Sequence, residues 1–275
     1  MKVNDWLKQA TEQLQAAGIQ TARLDCLVLL EDATGYDRAQ LLAEPERQLT
    51  KIQIDELEKL LTRRAQHEPL AYIRVRSEFF GREFIISPAV LVPRPESEAM
   101  IEQLKLLTGL PLAPHIADVG CGSGALGITA KLELPEAVVE LLDIDADALK
   151  VAKMNVDKFT LDIKVRKSDL LGNSSQENNV LLCNLPYVPD ACPLNRAATH
   201  EPQIALFGGQ DGLNLYRKLF QQVAKLPNQP LYILFEAFPS QHDTIRTLAN
   251  NNGYQPAAED DFIQVFQRFS LPIVN

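Results

Sequence analysis

"HIADVGCGSG", residues 115–124, decides the fold class of the chain. A short apolar run that contains Asp118 leads into glycines that alternate at positions 120, 122 and 124. The run predicts a buried strand, and the glycines predict a tight turn in which a ligand can lie against bare backbone. The helical pattern "ALGITAKLEL" follows directly, so we predict a strand–loop–helix unit. Because the loop lacks the Lys-Ser/Thr of a P-loop, it argues against a nucleoside triphosphate ligand.

The same alternation of strand and helix continues toward the C-terminus. Further strands are predicted at "AVVELLDID", "IKVRKSDLL", "NVLLCNLPY", "LYILFEAF" and "FIQVFQRF", with helices between most of them, including 212–225 and 240–251. This alternation predicts an α/β fold with a mostly parallel, doubly wound, Rossmann-like sheet. We expect the last two of these strands to pair as an antiparallel hairpin.

The part of the chain before this sheet has a different pattern. Apolar residues at helical spacing, with a capping box formed by Thr50 and Gln53, predict a small bundle of helices. The β-branched and aromatic stretch that follows, with Gly81 at its turn, predicts a hairpin. The bundle is either a stabilising appendage or a docking domain for a macromolecule. We therefore predict three parts: a helical domain over 1–70, a β-hairpin linker over 71–95 and a sheet domain over 96–275.

The composition limits the classes of protein to which the chain can belong. The 275 residues include 27 basic and 36 acidic side chains, which give a net charge of −9. This balance is poorly suited to following nucleic-acid phosphates, so we do not expect direct nucleic-acid binding. No apolar stretch is long enough to span a membrane. The four cysteines and four histidines have no metal-ligand spacing, so we expect no metal and a reducing, cytoplasmic setting.

Three loops are predicted to meet at one edge of the sheet, outside the carboxyl ends of the strands. The first is the glycine loop, 118–124. The second carries Asp143, at the end of the next strand, where an acid commonly accepts hydrogen bonds from ribose hydroxyls; Asp145 competes for this role. The third carries Asp169 and Leu170, which could flank an adenine ring. The loops together favour a ligand that contains adenosine, and both NAD and S-adenosylmethionine fit them.

"NLPY", residues 184–187, favours S-adenosylmethionine over NAD. A hydride-transfer enzyme has no evident use for this sequence at a strand end, whereas a methyltransferase acting on a planar –NH2 group does. The Asn184 side-chain oxygen and the Leu185 carbonyl can each accept one N–H of the substrate and orient its nitrogen. Pro186 stiffens the loop, and Tyr187 can pack on the flat face of the amide. These four are the predicted catalytic and substrate-binding residues.

The chain resembles the PrmC/HemK family of protein-glutamine methyltransferases over nearly its whole length. The resemblance rests on "ARLDCLVLLEDATG", "EFFGREFIISPAVLVPRPESE", the glycine loop, the Asn-x-Pro-Tyr loop and "HEPQIALFGGQDGLNLYRKLF". It implies a class I methyltransferase that uses S-adenosylmethionine, releases S-adenosylhomocysteine and methylates the glutamine N5 of the Gly-Gly-Gln motif in class I peptide chain release factors. The helical domain would then hold the release factor, and we expect a monomer. The predicted cofactor residues are Asp118, Gly120, Cys121, Gly122, Ser123, Gly124, Asp143, Asp169, Leu170 and Asn184.

Four positions depart from the family pattern. Leu185 stands where proline is usual, Leu170 where a bulky aromatic is usual, and Val75 and Phe238 where glycines are usual. Two other functions stay open at this point. One is adenine-N6 methylation of RNA or DNA, because the Asn-x-Pro-Tyr loop also occurs in such enzymes. The other is a non-catalytic protein that binds the cofactor or a release factor.

Overall fold

The structure is a computed structural model that describes residues 1–175 and 177–269. The chain forms two compact units. One comprises Met1–Val75 with Leu194–His200, and the other comprises Arg76–Pro193 with the residues from Glu201 onward. The three-part division drawn from the sequence stays a prediction. Among the described residues, no helix is both long enough and apolar enough to cross a membrane.

The first unit is helical, as the sequence predicts. Its helices are α1 (Val3–Ala16), α2 (Ala22–Thr34), α3 (Arg38–Ala43), α4 (Lys51–Ala65) and α5 (Leu70–Arg74). Trp6, Leu14 and Leu57 are buried in one shared core. The capping box at the start of α4 is confirmed, because the Thr50 side chain accepts from the Gln53 N–H and the Gln53 side chain accepts from the Thr50 N–H. Leu24 shares the helical spacing of the α2 core residues, but it is 48% exposed.

The hairpin is shorter than predicted. Residues 71–74 belong to α5 instead of a strand, and Val75 ends this helix in the left-handed region with φ 58°. The hairpin itself consists of β1 (Arg76–Phe79) and β2 (Arg82–Ile85), paired antiparallel. Phe80 and Gly81 join the strands, with φ 51° and 68°. Two consecutive positive φ values are typical of a type I′ turn, so the prediction of a turn at Gly81 is confirmed.

The second unit contains the predicted sheet. Its strands are β3 (His115–Val119), β4 (Val138–Asp143), β5 (Lys164–Lys167), β6 (Val180–Cys183), β7 (Tyr232–Glu236), β8 (Tyr254–Asp260) and β9 (Ile263–Arg268). Its helices are α6 (Glu98–Lys105), α7 (Ala125–Glu133), α8 (Ala146–Lys158), α9 (Asn214–Val223) and α10 (His242–Asn251). The strand order is β5-β4-β3-β6-β7-β9-β8, and the first five of these strands are parallel. The predicted α/β fold with a doubly wound, Rossmann-like sheet and an N-terminal helical region is confirmed.

The predicted C-terminal hairpin is wrong in one respect. The strands β7 and β9 do pair antiparallel, but the hairpin partner of β9 is β8, which the sequence analysis did not predict. The sequence of β8, "YQPAAED", has a proline and mostly exposed residues. Such a strand is tolerated at a sheet edge, where one side of the strand makes no hydrogen bonds to a neighbouring strand. It was not predicted because it lacks the alternation of apolar and polar residues that indicates a strand.

Candidate active site

A cavity of about 220 Å³ lies at the carboxyl ends of β3, β4, β5 and β6. The neighbours of β3 in the sheet are β4 on one side and β6 on the other, so the strand order reverses there. In open α/β sheets, ligands bind in the crevice at this reversal. The cavity is therefore where the fold and the three predicted loops both place a ligand.

The cavity wall contains nearly all of the predicted cofactor residues. These are Asp118, Gly120, Cys121, Gly122, Ser123, Asp143, Asp169, Leu170 and Asn184. Gly124 is not part of the wall. It lies at the start of α7 with φ 80°, and a Cβ there would come within 3.0 Å of Leu141 Cδ1. Gly124 therefore lets the helix pack closely against the sheet.

The glycine loop and the acid of β4 are hydrogen bonded to each other. The Gly122 N–H donates to Asp143 Oδ2 over 2.9 Å, and the Asp145 N–H donates to Oδ1 over 2.9 Å. Burial raises the pKa of Asp143, and these backbone donors act against that increase. Asp145, the competing acid, caps α8, where its side chain accepts from the Asp147 N–H over 2.7 Å. Asp143 is thus the acid whose carboxylate is joined to the glycine loop.

Gly122 leaves open space beside the loop. Its φ is 52°, and a Cβ built there would meet no atom within 4 Å. Gly122 also lines the cavity. A ligand can approach the backbone of the loop closely at this point.

Asp118 joins the end of β3 to helix α7. It is 1% exposed and accepts a hydrogen bond from the Gly127 N–H over 2.8 Å. Burial raises the pKa of Asp118 to about 7, against the effect of the Gly127 hydrogen bond, and the charge of Asp143 adds to the increase.

The third loop has a basic partner that the sequence did not reveal. The ammonium of Lys218, on α9, donates to Asp169 Oδ2 over 2.5 Å. Leu170 is buried at φ 53°, and its carbonyl accepts from the Ser168 hydroxyl. Because Lys218 and Asp169 are 49 positions apart, no local pattern indicates the pair.

Asn184 follows β6, and its side chain has a fixed partner. The Asn184 Nδ2 donates to Ser97 Oγ over 2.9 Å. Ser97 is 3% exposed and immediately precedes α6. The amide hydrogen-bonds Ser97 with its nitrogen, so Oδ1 is the atom that the side chain offers as an acceptor. The sequence analysis assigned no role to Ser97.

Leu185 lies against the glycine loop. It is 1% exposed, and a Cβ on Gly120 would be 3.2 Å from its Cδ2. Its carbonyl is 3.2 Å from the Tyr216 hydroxyl, which is also 2.5 Å from the Glu236 carbonyl. A hydroxyl has one proton, and the shorter contact takes it, so the Leu185 carbonyl keeps acceptor capacity.

Tyr187 is not among the residues that line the cavity, whereas Asn184, Leu185 and Pro186 are. Its hydroxyl donates to Glu236 Oε1 over 3.2 Å. Its ring contacts Phe238 edge-on, with the two ring centroids 4.9 Å apart. Phe238 has φ −64°, which any residue adopts, so the backbone does not require the glycine that is usual there.

The Gly-Gly-Gln-Asp-Gly segment, 208–212, packs against the backbone of the Asn-Leu-Pro-Tyr loop. A Cβ on Gly208 would lie 2.3 Å from the Pro186 carbonyl oxygen, and one on Gly212 would lie 2.0 Å from that of Tyr187. The Gln241 Nε2 also donates to the Tyr187 carbonyl over 2.8 Å. The segment holds the loop in place, a role that the sequence analysis did not predict.

Two segments of the resemblance, those that contain Arg94 and Glu201, meet at the cavity. The Arg94 guanidinium forms an ion pair with Glu201, whose carboxylate also accepts from the Val92 N–H. Burial raises the pKa of Glu201, and Arg94 acts against that increase. Arg94 and Pro202 line the cavity, so this pair connects the two segments along its wall.

The fold and this site together define a methyltransferase. Residues 5–74 match the PrmC N-terminal domain family, and residues 95–200 match the methyltransferase small domain family. A solved methyltransferase from Pyrococcus furiosus has the same fold. It is 15% identical with a TM-score of 0.53, and the match covers 75% of this chain and 98% of that one.

Sequence relatives identify the family. A release factor glutamine methyltransferase from Koribacter versatilis is 34% identical over 229 residues, which are 81% of each chain. A bifunctional methyltransferase from Rickettsia bellii is 31% identical over 92% of this chain, which spans 51% of that protein's length. This chain belongs to the release factor glutamine methyltransferase family, and the resemblance predicted from its motifs is confirmed.

Proposed function

We propose that this protein transfers a methyl group from S-adenosylmethionine to the N5 nitrogen of the glutamine in the Gly-Gly-Gln motif of class I peptide chain release factors. The observation that carries the proposal is the position of Asn184 and Leu185. Both lie in the wall of the same cavity as the glycine loop and Asp143. A pair of acceptors for a planar –NH2 group therefore adjoins a pocket suited to an adenosine-containing cofactor.

The residues present fit S-adenosylmethionine. Backbone at Gly120 and the open space at Gly122 suit a ligand that lies directly on the loop. The Asp143 carboxylate accepts one backbone N–H at each oxygen, which leaves a lone pair on each for a ribose hydroxyl. Leu170 supplies an apolar wall for the adenine. When bound, the cofactor supplies an electrophilic methyl group on its sulfonium.

The acceptor nitrogen is a weak nucleophile because the lone pair of an amide is delocalised. Asn184 Oδ1 and the Leu185 carbonyl each accept one N–H of the substrate amide. They orient the nitrogen and favour the partial positive charge that develops on it in the transition state. The nitrogen loses its proton after the new N–C bond forms, so no base has to act first. The loop thereby lowers the barrier through position and electrostatics alone.

The helical domain is proposed to hold the release factor while the glutamine enters the cavity. Leu24, which is 48% exposed on α2, offers a test of this role. We expect Leu24→Glu to raise KM for the intact release factor and to leave transfer to a short Gly-Gly-Gln peptide unchanged. An equal loss of methyl transfer to both substrates would mean that the substitution disturbs the fold. No loss with either substrate would mean that this face of α2 does not contact the release factor.

The direct test supplies labelled S-adenosylmethionine to four parallel reactions, which differ in the acceptor. They contain an intact release factor, the same factor carrying Gly-Gly-Ala, an adenine-containing RNA or no acceptor. The last is needed because the chain itself contains Gly-Gly-Gln at 208–210. We expect label only in the first reaction, located on the glutamine by peptide mass spectrometry.

Three other outcomes would each favour a different interpretation. Label in the RNA would favour adenine-N6 methylation instead. Label in the Gly-Gly-Ala factor would place the acceptor elsewhere on the release factor. Cofactor binding without transfer to any acceptor would favour the non-catalytic alternative.

A further inference from the structure

Leu170 forms part of the cavity wall in an unusual backbone conformation. Its φ is 53°, in the left-handed region, although the residue is a leucine and not a glycine. This conformation is costly for a residue with a Cβ, and it persists only where the surrounding structure fixes it. The contacts around Leu170 therefore decide the shape of this part of the cavity.

The backbone on both sides of Leu170 is hydrogen bonded to one side chain of α9. The Leu171 N–H donates to Gln222 Oε1 over 2.7 Å, and Gln222 Nε2 donates to the Asp169 carbonyl over 3.2 Å. One side-chain amide thus bridges the residues before and after Leu170. Because one bond requires the oxygen and the other the nitrogen, the two contacts also fix the orientation of the Gln222 amide.

The other hydrogen bonds to this backbone come from the loop itself. The Gly172 N–H donates to the Asp169 carbonyl over 3.1 Å, which closes a turn of four residues. The Ser168 hydroxyl donates to the Leu170 carbonyl over 2.7 Å. Donors within the loop move with it, whereas Gln222 belongs to α9, whose apolar face is buried in the core beside the sheet. Gln222 therefore ties the loop to a rigid element.

The same face of α9 also holds the acid of the loop. Lys218 lies four positions before Gln222, so both side chains are on one face of the helix. The Lys218 ammonium donates to Asp169 Oδ2 over 2.5 Å, but the two side chains are 44% and 49% exposed. Ion pairs this exposed contribute little. The hydrogen bond between Leu171 and Gln222 is partly buried and is therefore the stronger hold.

We propose that Gln222 is a positioning residue for the cofactor, because it fixes the backbone around Leu170 in the conformation that lines the cavity. The inference rests on the proposed function, in which Leu170 supplies the apolar wall for the adenine. Gln222 is not among the residues that line the cavity, so it acts through the loop. Without it the cofactor would have to order the loop on binding, and its affinity would fall.

The binding test compares Gln222→Met, Gln222→Ala and Gln221→Ala by calorimetry with S-adenosylhomocysteine. Methionine keeps the length and the helix propensity of glutamine but has no amide. Gln221, the exposed neighbour on α9, provides the matched control. We expect both Gln222 variants to raise Kd roughly tenfold, the scale of one or two net hydrogen bonds. Gln221→Ala should bind like the wild type.

The rate of methyl transfer separates a positioning role from a direct one. In single-turnover reactions with saturating S-adenosylmethionine, both Gln222 variants should stay within about twofold of the wild type. The reason is that the Asn-Leu-Pro-Tyr loop, which contacts the acceptor amide in the proposed reaction, is unchanged. The loss should appear only when the cofactor is below saturation.

A third measurement needs neither cofactor nor acceptor. The Leu171 N–H is the group that donates to Gln222, and its hydrogen exchange can be followed in ¹⁵N-labelled protein. We expect this exchange to be severalfold faster in Gln222→Met and Gln222→Ala than in the wild type and in Gln221→Ala.

The outcomes distinguish the inference from the function on which it rests. A wild type that binds S-adenosylhomocysteine but methylates no release factor would overturn the proposed function, and the binding and exchange data would still decide the role of Gln222. An unchanged Kd in both Gln222 variants would overturn the positioning role alone. A tenfold slower transfer at saturating cofactor would also overturn it, because Gln222 would then act on the reacting groups. An equal rise of Kd in Gln221→Ala would do the same, because the effect would come from α9 as a whole.

Discussion

The Gly122 N–H donates to the Asp143 carboxylate over 2.9 Å, which joins the glycine loop after β3 to the acid at the end of β4. The two features lie 21 positions apart in the chain. Because the carboxylate holds the loop, a change in the loop alters both the surface for the cofactor and the position of the acid. The glycine loop and Asp143 therefore behave as one structural element.

We expect Gly122→Val to abolish cofactor binding in calorimetry without unfolding the protein. The valine side chain would occupy the open space beside the glycine loop, at φ 52°. A branched residue at positive φ costs about 1–3 kcal/mol of stability wherever it stands. Gly35→Val is the matched control, because Gly35 has φ 74° and open space at the end of α2, in the helical unit. If both variants bind the cofactor like the wild type, the glycine loop is only a connection between strand and helix.

Asn184→Ala should remove most methyl transfer and leave the fold nearly intact. It deletes the side-chain acceptor for the substrate –NH2, and such a contact is worth about 3–4 kcal/mol in the transition state, or roughly a hundred- to a thousandfold in rate. Cofactor affinity should fall less, because the glycine loop and Asp143 remain. Single-turnover transfer measures the loss, with Asn250→Ala on the exposed end of α10 as the control. A near-normal rate would make the Asn-Leu-Pro-Tyr loop purely structural.

Val75→Gly should stabilise the protein. Val75 is a β-branched residue at φ 58°, and it is 56% exposed, so its side chain contributes little burial in return. Relief of the left-handed strain is expected to raise the free energy of unfolding by about 1 kcal/mol. Urea titration of the wild type, Val75→Gly and Val75→Ala tests this, and the alanine variant should gain less. A glycine variant no more stable than the wild type would mean that the strain is relaxed elsewhere.

Asp118 should make stability fall as pH rises toward neutrality. Its pKa is about 7 in the folded protein, against an ordinary value of 3.8. Between these values the folded state keeps a proton that the unfolded chain has released, so the free energy of unfolding decreases with rising pH and levels off above about pH 7.

The test compares wild type with Asp118→Asn, which cannot titrate. Between about pH 5 and pH 8 the difference in unfolding free energy should move in favour of the variant by about 2.6 kcal/mol. Most other titrating groups cancel in this comparison; Asp143 is the neighbour whose own titration the substitution would alter. A difference that does not change with pH would show that Asp118 is ionised throughout.

Much of the fold follows from local sequence. The predicted strand at 115–119 coincides with β3, and the loops at 118–124, 143 and 169–170 do come together at one cavity. These features depend on short apolar runs and on where each run stops, which neighbouring residues reveal. By contrast, β8 is a polar edge strand and has no such signature.

The parts of the site that the sequence analysis did not predict depend on contacts between residues far apart in the chain. Ser97 meets Asn184 across 87 positions, and Tyr187 meets Glu236 across 49. An isolated serine or an acid within a strand carries no sign of such a partner. The residues that line the cavity were therefore predictable from their motifs, whereas their hydrogen-bond partners required the three-dimensional structure.

The tight packing of Gly208 and Gly212 on the carbonyls of Pro186 and Tyr187 has a consequence for mutational tolerance. Any side chain at either glycine would displace the Asn-Leu-Pro-Tyr loop, although neither glycine needs to contact a substrate. A random-mutagenesis screen for lost activity should therefore yield two separate clusters of hits, one at 184–187 and one at 208–212. Substitutions in either segment would be limited by its contacts with the other, so we expect the two segments to change together in evolution although they are separated in the chain.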